Sequence, residues 1–331
     1  MTASAARYIL GVDLGGTNIV VGAATADGSH VTTHSEPTRA DQGADAVVER
    51  MARMIDTVMR QTMAEKGVTR DAFVGVGIGA PGPLDREKGL VIVTPNLGWK
   101  NFPLRERIST AVGLPATLDN DANCATVGEW WLGAARGGKN VVGMTIGTGI
   151  GGGLILNGQL YHGASDVAGE IGHITIDSTG RLCGCGNYGC LEAYASGPAI
   201  AQRARELLAG DEPSSLTRTV NGELDKLTAR IVYDAAKEGD FLARLVVRDT
   251  ARFLGAGVAN LLNIFNPDVV VLAGGVAMAG DTLFAPLRAE VRRRAFRPAV
   301  EACRIVPGTL GDAAGVLGAI ASFKAQTPGL V

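Results

Sequence analysis

Short apolar runs broken by glycine set the rhythm of this chain. Tyr8 to Val12 reads as a strand, Asp13-Leu14-Gly15-Gly16-Thr17-Asn18 as a turn and Ile19 to Ala24 as a second strand. Asp27-Gly28 then predicts a hairpin into a third strand that runs through His34. The plan returns later: a strand over Val141 to Ile146, a glycine turn over Gly147-Thr148-Gly149-Ile150-Gly151-Gly152-Gly153, a strand over Leu154 to Leu156, and an Asn157-Gly158 hairpin into Gln159 to Tyr161. Two copies of one meander, about 130 residues apart and each followed by helices, predict a duplicated α/β fold with a cleft between its halves. Paired glycine turns across such a cleft bring backbone N–H groups towards phosphate.

Between the meanders, apolar positions 47, 48, 51, 54, 55, 58 and 59 predict an amphipathic helix over Ala44 to Lys66, with its methionines as core filler. Phe73 to Ala80 reads as a buried strand leading into the connection Pro81-Gly82-Pro83, and Thr94 to Trp99 as a loop. Leu114 to Leu118 is a further expected strand, and the stretch from Ala122 to Ala134 has helical composition. Residues 197–265 read as mostly helical and without evident chemistry, stopped by Asn266-Pro267. Asp268 to Ala273 predicts a buried strand, followed by Gly274-Gly275, a helix from Asp281 to the arginines at 292–294, and a last helix over 311–324. Gly147 to Gly152 satisfies G-x-G-x-x-G, but it runs into another strand where a dinucleotide site would open a helix.

Composition narrows the classes. The 331 residues are 46% hydrophobic and 19% charged with a net charge of -2, so no single-sign field points to nucleic acid or a membrane surface. With no membrane-length apolar run and no secretory pattern at the start, the expectation is a cytoplasmic protein.

Chemistry concentrates between Glu170 and Glu192. Three of the five cysteines, Cys183, Cys185 and Cys190, fall in Cys-Gly-Cys-Gly-Asn-Tyr-Gly-Cys, ten residues after His173. Three thiolates and an imidazole suit a closed tetrahedral zinc site, and with no open position the metal would be structural. Cys124 and Cys303 are expected to be buried thiols. A second concentration is Asp119-Asn120-Asp121, at the carboxyl end of a predicted strand where open α/β sheets bind ligands. Asp121 there is open to two readings, an N-cap of the following helix or a carboxylate that activates a hydroxyl. Gly274-Gly275 suits either a tight strand-to-helix turn or a flat ligand such as adenine lying against the backbone.

Gly169-Glu170-Ile171-Gly172-His173 followed by Cys-x-Cys-Gly-x-x-Gly-Cys-Leu-Glu resembles the bacterial ROK family of sugar kinases, repressors and uncharacterised open reading frames. The block from Cys183 to Gly197 is most similar to its glucokinases, and the resemblance runs from Tyr8 to about Lys324. It implies an actin-like, ribonuclease H-like pair of domains, drawn here as 1–118 with about 312–331, and 119–311. It implies a hexokinase-type phosphotransferase that uses ATP and Mg2+ to phosphorylate a sugar, glucose at its 6-hydroxyl first and another hexose or a non-catalytic sugar-sensing role as alternatives. The ATP phosphates would be bound by the turn carrying Asp13, Gly15, Gly16, Thr17 and Asn18 and by that carrying Gly147, Thr148, Gly149 and Gly151. Asp121 would be the catalytic base. Asn120, Glu170, His173 and Glu192 would hold the sugar with Gly82 and Asn96, while His173, Cys183, Cys185 and Cys190 hold zinc. The family's repressors carry an N-terminal helix-turn-helix domain, and with a first strand read as early as Tyr8 the expectation here is a chain without one. A homodimer or homotetramer is the expected assembly.

Overall fold

The computed structural model describes residues 7–330 apart from 30, 95 and 211. The chain forms two compact units. One comprises the residues up to Gly137, Leu160–Gly169 and those from Leu310 on; the other comprises Gly138–Gln159 and Glu170–Thr309.

In the first unit, β1 (Tyr8–Leu14), β2 (Asn18–Thr25) and β3 (Thr32–Pro37) form the expected meander. β4 (Phe73–Ala80) adds in parallel to β1. A small antiparallel sheet of β5 (Leu84–Asp85), β6 (Leu90–Thr94) and β7 (Trp99–Phe102) follows, and β8 (Ala116–Asn120) then joins β4 in parallel. The main sheet therefore has the order β3-β2-β1-β4-β8. Side-chain alternation divides its faces. Tyr8, Leu10, Val12 and Leu14 pack with α1 (Ala44–Lys66) and α2 (Leu104–Val112), where Met51, Met54 and Met59 are core residues as expected. Ile9 packs with Val316, Ile320 and Phe323 of the last helix, Ala313–Gln326. That helix comes so close that a Cβ on Gly77 would stand 1.9 Å from the Ala319 carbonyl oxygen, which explains a strand written with alternating glycines. α3 (Asp121–Trp131) packs beside it.

The second unit repeats the plan with β9 (Val141–Ile146), β10 (Ile150–Leu156), β11 (Gln159–Leu160), β12 (Val269–Ala273) and β13 (Arg304–Pro307), in the order β11-β10-β9-β12-β13. Its turn is shorter than the glycine run predicts. Gly151, Gly152 and Gly153 lie in β10, laddered to Thr145, Met144 and Gly143, because cross-strand pairing overrides glycine's poor strand propensity. The strand expected at 114–118 likewise runs two residues later, at Ala116–Asn120.

Helices α4 (Glu192–Ala195), α5 (Gly197–Leu208), α6 (Ser215–Thr219), α7 (Ala229–Glu238), α8 (Phe241–Phe265), α9 (Asp281–Arg294) and α10 (Arg297–Ala302) complete this unit. α8 is capped by Asp240 and ends at Asn266 in the left-handed region, just before Pro267. Its Leu254, Val258 and Leu262 belong to the core beneath the sheet. Cys124 is buried as expected, whereas Cys303 is only half-buried. No described helix is long and apolar enough to cross a membrane.

Candidate functional site

Each sheet closes its first hairpin with a three-residue loop, Gly15-Gly16-Thr17 in one unit and Gly147-Thr148-Gly149 in the other. In the first, Gly15 N–H donates to Asn18 O, while Thr38 donates from Oγ1 to Gly15 O at 2.6 Å and from N to Thr17 O at 2.8 Å. In the second, Gly147 N–H donates to Gly149 O, and Gly197 N–H, at the start of α5, donates to Gly147 O at 2.8 Å. The N–H groups of Gly16, Thr17, Thr148 and Gly149 carry no hydrogen bond among the described residues. Unspent donors at a glycine turn are the means by which backbone binds an anion.

Asp13, one residue before the end of β1, lies on the face of the last helix, where Gly315 makes room: a Cβ there would stand 2.1 Å from Asp13 Oδ2. Burial first, then the carboxylates of Asp121 and Asp312, push the Asp13 carboxyl up to about 7. The strand-to-helix junction assigns the cap to the residue before Asp121. Asn120 is the N-cap of α3, its Oδ1 accepting from Ala122 N at 2.9 Å and Asn123 N at 3.1 Å. Asp121 is the first helical residue and accepts from Ala122 N through Oδ1 at 2.8 Å. The Asn120 amide nitrogen lies 3.5 Å from where a Cβ would stand on Gly82, and the Asn96 side chain lies the same distance from that position on Gly16. Pro95, in the same loop as Asn96, lies outside the described residues.

Asp119 carries a role that the sequence did not announce. It is 1% exposed and accepts from Asn120 N at 2.9 Å, Ser322 Oγ at 2.8 Å and His162 Nε2 at 3.1 Å, with Arg86 Nε at 3.4 Å. Burial works to raise its pKa, but His162, Arg86 and Ser322 together hold the carboxyl below its ordinary value. The strand-to-helix turn at Asn120 and Asp121 thus follows directly on a buried, charged network.

In the second unit His173, Cys183, Cys185 and Cys190 converge. One ligand atom from each lies within 4.8 Å of all the others, with Cys183 Sγ to His173 Nδ1 at 3.8 Å and Cys185 Sγ to Cys190 Sγ at 3.7 Å. Tetrahedral metal–sulfur bonds of about 2.3 Å set ligands about 3.8 Å apart, so the donor set fits zinc in both chemistry and size. The knuckle depends on its glycines. Gly186 and Gly189 have φ of 91° and 74°, and a Cβ on Gly189 would stand 1.6 Å from the Asp177 carbonyl oxygen. His173 turns Nδ1 to Cys183 and Nε2 to Glu170, 4.0 Å from its Oε2. Glu192 Oε2 accepts from Ile150 N at 2.8 Å beside the glycine turn.

A cavity of about 820 Å³ opens beside Gly147 and Thr148 and is bounded by Gly275, Val276, Arg205, Tyr233 and Lys237. Gly274 takes φ of 88° beneath Ile146 O, which lets Gly275 face this space. The helical stretch read as without chemistry therefore lines a hollow beside the turn. Its contributors are spread over α5 and α7 with no motif to mark them.

The ROK family model matches residues 9–326. The chain belongs to the ROK family. Among curated relatives, this ROK chain is 38% identical over 316 residues to the glucokinase of Halalkalibacterium halodurans, covering 94% of this chain and 93% of that one. A crystal structure of a ROK family glucokinase from Streptomyces griseus in complex with glucose and AMPPNP superposes with a TM-score of 0.83 at 34% identity, covering 95% and 98% of the two chains. The ROK family transcriptional regulator described as a homolog of the E. coli MLC protein gives a TM-score of 0.84 at 28% identity, covering 98% of this chain and 80% of that one. The ROK chain thus has the duplicated actin-like, ribonuclease H-like two-domain fold.

Proposed function

We propose that this protein, a hexokinase-type sugar kinase of the ROK family, transfers the γ-phosphoryl group of ATP to the 6-hydroxyl of glucose, with Asp121 as general base. The observation that carries this reading is the capping of α3 by Asn120. The cap falls to Asn120, and Asp121 stands as an acid just past the end of β8, facing Asp13, whose carboxyl is raised by burial first and then by the Asp121 charge. The similarity to a glucokinase bound to glucose and AMPPNP supports the choice of both substrates.

In this reading Asp121 accepts the proton of the sugar hydroxyl as that oxygen attacks phosphorus in line. The N–H groups of Gly16, Thr17, Thr148 and Gly149 hold phosphate oxygens, and the hollow beside Gly275 takes the base of the nucleotide. Asn120, Glu170, His173 and Glu192 are the sugar ligands, with Gly82 and Asn96 alongside. The grouping of Asp13, Asp121 and Asp312 suits a divalent cation, whose charge offsets the burial, and after it the repulsion, that raise the Asp13 pKa. Asp13 would hold Mg2+, which when bound neutralises charge on the transferring group. Zinc would be held by His173 Nδ1 and the three thiolates and serve only to pin the knuckle; burial pushes the Cys183 thiol up to about 12, a cost of ionisation that a bound cation offsets.

Asp121→Asn tests the base directly. Turnover falls by roughly 10²–10⁴-fold while glucose binding, read by calorimetry, stays within a few-fold. Turnover near that of the unmodified enzyme removes Asp121 from the role. A second reading, a sugar sensor without catalysis, draws on the likeness to the transcriptional regulator; glucose binding without ADP release under any condition would favour it.

A further inference from the structure

The knuckle and the glycine turn of the second unit meet at one carboxylate. Glu192 stands two residues beyond Cys190 and opens α4. Its Oε2 accepts from Ile150 N at 2.8 Å and lies 2.6 Å from where a Cβ on Gly149 would stand, so the carboxylate is pressed against the end of the turn. Its Oε1 lies 3.7 Å from Cys183 Sγ. Beyond α4, Gly197 N–H grips the Gly147 carbonyl at the other end of the turn. The helix itself is fastened to the knuckle through Tyr194, whose hydroxyl accepts from Arg181 N at 2.8 Å and donates to Asp177 Oδ2 at 3.1 Å. Leu191, fully buried against Gly257 of α8, keeps the whole piece from sliding.

Resting on the reading of Gly147-Thr148-Gly149 as a phosphate turn, we infer that Glu192 is a positioning residue for the nucleotide, through which the metal-binding knuckle sets the geometry of that turn. This role is separate from contact with sugar. A carboxylate that only holds sugar has no influence on nucleotide binding when sugar is absent. A carboxylate that closes the turn does, because without it the N–H of Ile150, a residue 2% exposed, loses its acceptor and the turn relaxes to find another.

The experiment is calorimetric binding of magnesium-AMPPNP without sugar to the zinc-loaded protein and to Glu192→Gln and Glu192→Ala. The glutamine amide oxygen can still accept from Ile150 N, so Glu192→Gln keeps its Kd within about twofold while its glucose affinity falls. Glu192→Ala raises the nucleotide Kd about tenfold, or ~1.4 kcal/mol. Chelation of zinc from the unmutated protein raises the same Kd, and zinc returned to it restores the value, which covers the case of an alanine variant that does not fold. Unaltered nucleotide affinity in Glu192→Ala, or on chelation, overturns the positioning role while leaving the phosphate-turn reading intact. Absence of AMPPNP binding by the unmutated protein strikes that reading first, and the inference with it.

Discussion

The two glycine turns close equivalent hairpins with loops of equal length, yet they are braced by different physics. Gly15-Gly16-Thr17 is held by Thr38, whose carbonyl is in turn bound by the buried Arg50 of α1 at 2.6 Å. Its supports are hydrogen bonds inside one packed layer, and its neighbour Asp13 is an acid raised to about 7. Gly147-Thr148-Gly149 has no acid of that kind on its strand. It is braced by α4 and the start of α5, which lead to a cluster of four metal-ready ligands. The two units thus share the form of the turn, while one copy stands beside a raised acid and the other, in the reading proposed above, is a dock braced by the knuckle.

The largest effect that tests this contrast comes from the knuckle. Cys183→Ser should lose zinc and weaken glucose binding together, by roughly tenfold or more, while the first unit keeps its stability; zinc retained at full stoichiometry by mass spectrometry would contradict the ligand set. A smaller effect separates the charged turn from its partner. The Asp13 carboxyl has an ordinary pKa of 3.8 and a folded value of about 7, so the folded chain holds that proton more tightly than the unfolded one. Stability from this group is full below about pH 4 and is lost as pH rises to about 7. Asp13→Asn, which has no proton to lose, should melt a few degrees higher than the unmodified protein at pH 8, with the gap closing at pH 5. A gap independent of pH would mean that Asp13 ionises without strain. The smallest effect is Thr38→Val, which deletes the Oγ1 bond to Gly15 O in a fully buried residue. It should cost about 1 kcal/mol in denaturant unfolding and leave zinc content unchanged; a loss of zinc would mean that the turns are not independently braced.

Much of this was legible in the chain. Hairpin punctuation and alternation marked both meanders, and the helix over Ala44–Lys66 has its predicted bounds because its apolar stripe and its left-handed Gly67 end agree. The knuckle was legible because few other needs place Cys-Gly-Cys-Gly near a histidine. The capping of α3 was not, since Asn120 and Asp121 are equally good caps and only the backbone angles of the junction choose between them. Glycines 151–153 misled because their place in β10 is enforced by β9, a partner chosen by the sheet and not by local propensity. The hollow beside Gly275 and the Asp119 network were hidden for a similar reason. Arg205, Tyr233 and Lys237, like His162 and Ser322, are ordinary residues until folding sets them around one point.

The central claim is that this chain phosphorylates glucose. It is tested most directly by ADP release from the purified, zinc-loaded protein with magnesium-ATP and a panel of hexoses, each with and without glucose as competitor. The account predicts strong turnover on glucose and weak turnover on N-acetylated sugars. No turnover on any sugar, alongside measurable glucose binding, would contradict it and leave a sugar sensor built on a kinase fold.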